Sequence, residues 1–194
     1  MAMLGKEKTT SNQRRRSYDE KMVSSCNHSD VCSWNKVASY AAPAPKITTE
    51  TFFIDASDPG IKLHVRNKHL SPTKSFPQDK IVLFVHGATY PSETAFDIAL
   101  PGGSWMDYAA TQGYDTYLAD IRGYGRSTRP ASMDGPPDQN PAFASTADGI
   151  RDVGAAVDFI RKRRNVDKIN LVGWSWGTSY ISPVKKIFHK KSSP

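Results

Sequence analysis

Only two of the 194 residues are cysteine, too few for a disulfide framework or a cysteine-rich zinc cluster. Both lie in CNHSDVC, where His28 and Asp30 stand between Cys26 and Cys32. That spacing is not a zinc-knuckle spacing and no second ligand pair follows, so the pair reads as free thiols and no metal is expected. No apolar run is long enough to cross a bilayer, and none follows the Arg14-Arg15-Arg16 cluster as a secretory signal requires. Glu7, Asp19 and Glu20 weigh against a mitochondrial presequence, so residues 1–45 are expected to be a disordered cytoplasmic arm.

A basic interior is also lacking. The net charge of +7 comes from the two ends: residues 1–45 hold seven basic and four acidic side chains, and residues 182–194 hold four lysines and no acid. Residues 46–181 carry fifteen of each sign. A neutral body lacks the cationic face that phosphate backbones demand, so no nucleic-acid partner is expected. The tail containing Ile187 and Phe188 carries two prolines in thirteen residues, a poor composition for a membrane-surface helix.

What is present has a clear grammar. After the Pro-rich linker AAPAPK (41–46), two β-type runs flank Ser57-Asp58-Pro59-Gly60, which predicts an antiparallel hairpin over Thr49–Asn67. IVLFV (Ile81–Val85) is a continuous β-branched run, the pattern of a strand buried on both faces. A long loop is predicted from His86. A short helix follows over Trp105–Gln112, capped by Ser104 and closed by Gly113. TYLADI (Thr116–Ile121) is the next strand, followed by a Gly/Pro-rich loop over Arg122–Pro141. Ile150, Val153, Val157 and Ile160 recur at helical spacing behind a Ser145 cap, and Arg161–Arg164 sit where the helix dipole favours cations. Asn170–Gly173 is a third buried-type strand. The order hairpin, strand, helix, strand, helix, strand predicts an α/β fold with a mostly parallel sheet.

The chemistry gathers where the last strand ends. Gly173-Trp174-Ser175-Trp176-Gly177 joins that strand to an expected helix, the context in which a tight turn lifts a serine hydroxyl above a sheet. Two more segments precede it, FVHGATY (Phe84–Tyr90) and DIRGYGRST (Asp120–Thr128). Gly123-Tyr124-Gly125 resembles the opening of a dinucleotide fingerprint, but Thr128 stands where the third glycine belongs and no helix follows, so no cofactor is expected.

Together, in this order and spacing, the three segments resemble the α/β-hydrolase family over roughly Thr51–Thr178. The resemblance implies Ser175 as nucleophile and an oxyanion hole formed by the backbone N–H groups of Ala88 and Trp176. It implies that His86 shapes the oxyanion loop without accepting the proton, and that Asp120 and Arg122 brace their loop. Serine at the elbow, where dehalogenase-like and epoxide-hydrolase-like members would carry aspartate, points to esters or related acyl substrates. Trp174 and Trp176 are candidates for the wall of an acyl pocket, with ordinary core packing an equal account of Trp174.

The same resemblance exposes a deficit. The family's triad runs Ser, then Asp or Glu, then His, yet no acid follows Asp167 and only His189 follows Ser175. Pro183 falls about two turns beyond Trp176 and is expected to make the helix fail early, and the sequence departs from the family near Tyr180, leaving 182–194 as a basic tail outside the family pattern. The expectation is therefore a partial α/β-hydrolase sheet over 46–181 with an open edge after its last strand, inactive as this chain. The alternative is a non-catalytic interaction protein, or a subunit completed by a partner chain, with self-association possible through the open edge.

Overall fold

The computed structural model describes residues 45–191 apart from 137, 141 and 142, with side chains up to Val184. The expected N-terminal arm and both cysteines lie outside the described residues. The strands are β1 (Ile47–Asp55), β2 (Lys62–Leu70), β3 (Ile81–Val85), β4 (Asp115–Ala119) and β5 (Asn170–Gly173). The helices are α1 (Ser92–Phe96), α2 (Trp105–Thr111), α3 (Thr146–Arg164) and α4 (Gly177–Lys191).

The sheet order is β1-β2-β4-β3-β5. β3 pairs in parallel with both β4 and β5, while β2 pairs antiparallel with β1 and with β4. The sheet is thus less parallel than expected: the hairpin is not a separate flap but is annealed to β4 through Val65–Lys68. Among the described residues β5 is paired on one side only, so the open edge is observed.

β3 and β4 are buried along their whole lengths, and their alternation feeds two cores. Ile81, Leu83 and Val85 face the larger core with Val153, Ala156, Val157 and Ile160 of α3 and Tyr180 and Val184 of α4. Val82 and Phe84 point the other way, toward Phe96 of α1 and Met106 of α2. This two-residue period places helices on both faces.

Local signals set most boundaries. Ser104 and Ser145 each close a capping box, with Asp107 and Asp148 returning the bond three residues on. Asn165 ends α3 in the left-handed conformation at φ 52°. Two expectations fail. α1 forms within the predicted loop, held by Ser92, whose N–H donates to Asp120 Oδ1 (2.9 Å) and whose hydroxyl donates to the Ala119 carbonyl (2.6 Å). α4 runs through Pro183 to Lys191 instead of failing early at the proline. Packing outweighs the lost hydrogen bond there, because Tyr180 and Val184, on either side of the proline, are both buried in the larger core.

Candidate active site

The turn after β5 is built by backbone hydrogen bonds. Trp174 N–H donates to the Val85 carbonyl (3.0 Å), Gly177 N–H to the Trp174 carbonyl (2.8 Å) and Thr178 N–H to the Ser175 carbonyl (3.0 Å). Ser175 is left in the left-handed region at φ 52°. A non-glycine residue held there costs on the order of 1–3 kcal/mol, which the surrounding turn must offset. The strain turns the Ser175 side chain outward, where it lines a cavity of about 370 Å³ with Gly87, Ala88, Trp105 and Trp174.

Gly87 runs close against this serine. A β-carbon built on Gly87 would lie 2.8 Å from Ser175 Cβ and 3.2 Å from its Oγ, so glycine permits the approach. The next residue is Ala88. Among the described residues neither the Ala88 N–H nor the Trp176 N–H donates to a protein acceptor, so two backbone donors are left free beside the hydroxyl. The Trp176 indole N–H donates to Thr146 Oγ1 (3.0 Å) and its ring lies 5.3 Å from that of Tyr180, so this side chain belongs to the α3–α4 packing and does not line the cavity. Trp174, 63% exposed, does line it.

The described histidines do not serve Ser175. His86 is buried and has both ring nitrogens engaged: Nε2 accepts from the Ile121 N–H (3.0 Å), which leaves Nδ1 to donate to the Gly87 carbonyl (2.6 Å). Burial pushes its pKa below the ordinary histidine value, although the contact with Gly87 and the nearby Asp120 charge oppose the shift. His86 is therefore a neutral strut that joins the Gly87 loop to the end of β4. His64 pairs with Asp120 (Nδ1–Oδ2, 3.0 Å), but it is fully buried on β2, three strands and about 14 Å across the sheet from β5. His69 is held near the opposite end of β2, against the Leu70 carbonyl (3.0 Å). The side chains of His28 and His189 lie outside the described residues.

His86 gives a pH signature. The unfolded imidazole takes a proton below about pH 6.5, whereas the folded one refuses it until a lower pH. Stability contributed this way is complete above about 6.5 and falls as the pH drops through the window beneath it. Chemical denaturation at pH 7.5 and 5.5 should show the loss, and His86→Gln, which keeps an acceptor for the Ile121 N–H, should flatten it. An unchanged slope in that variant counts against the assignment.

Asp120 is the hub of the loop after β4. It accepts from His64, from the Ser92 N–H and from the Arg126 N–H (3.2 Å), while its own carbonyl accepts from Ser127 Oγ (2.6 Å). Burial alone would raise its pKa, but these donors hold the carboxyl below its usual range. Tyr124 is a member of the site that motif reading passed over. Its hydroxyl donates to the Ala88 carbonyl (2.6 Å) and its ring lies 4.8 Å from the His86 ring, so it ties the RGYG loop to the Ala88 segment, while the peptide plane that carries the Ala88 N–H is held by the His86 bond to the Gly87 carbonyl. The signal was its place between the two glycines of the RGYG loop. Among the described residues no three His, Cys, Asp or Glu side chains converge as a metal site would require, and no helix is long and apolar enough to cross a membrane.

A sequence model of the alpha/beta hydrolase fold matches residues 80–181, more than half of the chain. The chain belongs to the α/β-hydrolase fold family. No curated protein matches it. Among solved α/β-hydrolase relatives, the esterase Est22 superposes with a TM-score of 0.50 at 13% identity, over 76% of this chain and 40% of that one. A cold-adapted esterase from an Arctic intertidal metagenomic library gives 0.48 at 20% identity, over 71% and 55%. A predicted CIB-like hydrolase from Thermoplasma acidophilum gives 0.46 at 16% identity, over 72% and 57%. The chain thus spans about half the length of the α/β-hydrolase structures it resembles.

Proposed function

We propose that this chain carries the nucleophilic half of a serine hydrolase acting on ester or related acyl bonds. The observation that supports it most is the left-handed Ser175, which lines a cavity together with Ala88, while the backbone N–H groups of Ala88 and of Trp176, the next residue after the serine, have no protein acceptor among the described residues. In this reading Ser175 Oγ bonds to the substrate carbonyl carbon while its proton passes to a base. The carbonyl oxygen, now negative, is held by Ala88 N–H and Trp176 N–H. Collapse expels the alcohol, which takes that proton, and water then releases the acid from the serine ester. Each oxyanion donor of this kind contributes about 3–4 kcal/mol to the barrier reduction.

The base and its orienting acid come from outside the described residues, and the unpaired side of β5 is where a further strand, from this or a second polypeptide, would bring them. Alone, the chain is inactive: a serine without its base loses on the order of 10⁶ in turnover. Intact-mass analysis with a fluorophosphonate tests both statements. At pH 7.5 the purified chain should label no faster than free serine derivatives. At pH 10, where hydroxide replaces the base, a single slow adduct should map to Ser175 and vanish in Ser175→Ala. Rapid stoichiometric labelling at pH 7.5 overturns the inactivity; an adduct elsewhere at pH 10 overturns the nucleophile.

A further inference from the structure

The cavity beside Ser175 carries information about what it takes. Its lining contains no Asp, Glu, Lys, Arg or His side chain. The neighbouring charges are consumed elsewhere: Glu93 pairs with Arg66 (2.9 Å), and Asp97 accepts from Arg66 (2.8 Å), Lys68 (2.6 Å) and the Ser104 hydroxyl (2.7 Å). The hydroxyl of Thr94 is likewise satisfied, donating to the Pro91 carbonyl (2.9 Å). Away from the Ala88 N–H beside Ser175, a charged group entering here would shed water without finding a partner.

One wall is aromatic and fixed. Trp105 is 52% exposed, yet its ring lies 5.6 Å from that of Phe84 and 5.9 Å from that of Phe96, which are themselves 5.0 Å apart. Its backbone is anchored by the Ser104–Asp107 capping box, and Asp107 is held in turn by Lys68 (2.8 Å). A large indole kept rigid while part of its exposed surface lines a cavity has area to offer a ligand at little entropic cost. Trp174, next to the serine, lines the same cavity.

Resting on the reading of Ser175 as nucleophile, we propose that the substrate is an uncharged carbonyl ester or related acyl compound that lays a flat apolar group against Trp105, and that Trp105 is the specificity-determining residue of this half of the site. The matched probes 9-anthracenemethanol and 9-anthracenecarboxylate test this through energy transfer from tryptophan. They are titrated into the full chain and into Ser175→Ala, which keeps the cavity whether or not the serine is a nucleophile.

The neutral probe should saturate on both proteins. The anionic probe should bind at least about tenfold more weakly. Trp105→Ala should weaken the neutral probe about tenfold, the scale of one aromatic pair with its buried area. Trp105→Phe should keep most of the affinity, which separates a lost wall from a lost fold, and Phe53→Ala, an exposed aromatic on β1, should change nothing. No saturable binding, equal binding of the two probes, or Trp105→Phe as weak as Trp105→Ala each overturns the proposal. Failure of Ser175 to take a fluorophosphonate at pH 10 overturns only the reading it rests on, since the binding arms do not use the nucleophile.

Discussion

Arg122→Ala is expected to lower the stability of the fold by about 3–5 kcal/mol, the cost of leaving a buried partner charge uncompensated. Arg122 is 6% exposed and Asp152, on the buried face of α3, is 1% exposed. The guanidinium holds Asp152 in a fork, Nε at 3.1 and 2.9 Å from its two oxygens and one terminal nitrogen at 2.5 Å, and the Arg122 N–H adds a bond of 3.0 Å. The same terminal nitrogen also reaches Asp58, in the turn between β1 and β2, at 2.6 Å. One side chain thus ties the hairpin, the loop after β4 and the longest helix together. Hydrogen bonding to the Asp152 carboxylate keeps Arg122 charged well above its usual range despite burial, so the effect should not depend on pH across the neutral region. Urea denaturation measures it. Arg122→Lys retains the charge but not the fork and should lose an intermediate amount, while a loss under about 1 kcal/mol for Arg122→Ala would place this network among exposed ion pairs.

That network shows where sequence reasoning stops. Motif order marks Asp120 and Arg122 as braces, and both are. What each braces is invisible along the chain, because Asp152 lies thirty residues later and Asp58 sixty-four earlier. Asp148 and Asp152 share a helical face with Val153 and Ala156, and the only hint is that Asp152 falls on the buried stripe of α3. β3 is legible to the residue, since a strand covered on both faces has no polar positions to blur its ends. α1 is not, because five residues make too little periodicity. It depends on Asp120, which arrives from β4. Pro183 misleads for the same reason: local propensity argues for a stop, and the burial of Tyr180 and Val184 decides otherwise.

The site divides in a similar way. The placement of Ser175, Gly87 and Ala88 around one cavity is readable from motifs because local backbone turns fix it. Tyr124 and the neutrality of His86 require a contact between two loops that only the sheet order brings together. The aromatic wall at Trp105 is further still from sequence logic. Its helix is predictable, but its stacking on Phe84 needs the fact that even-numbered residues of β3 face α2.

Gly177→Ala should have the other large effect, about 3 kcal/mol or more, at the upper end of what overpacking costs. A β-carbon at Gly177 would collide with the Val85 carbonyl oxygen and lie 2.7 Å from that of His86. Both are main-chain atoms at the end of β3, which is paired on both sides. Val85 is paired with Ala119 on one side and Gly173 on the other, and its carbonyl already accepts the Trp174 N–H. The strand cannot retreat, so α4 must lift away from the sheet and take the Ser175 turn with it. Gly87→Ala is a milder case. Its new methyl would lie 2.8 Å from Ser175 Cβ and 3.1 Å from the Trp174 carbonyl oxygen, atoms that the turn itself fixes, so stability should fall by about 1–3 kcal/mol and phosphonylation of Ser175 at pH 10 should fall with it. Gly154→Ala completes the set, because nothing lies within 4 Å of its β-carbon on α3 and the substitution should stabilise the helix by about 0.5–1 kcal/mol. Thermal melts of the three variants beside fluorophosphonate mass shifts read both quantities. If Gly177→Ala melted with Gly154→Ala, the close approach of α4 to β3 would not be what holds the serine in place.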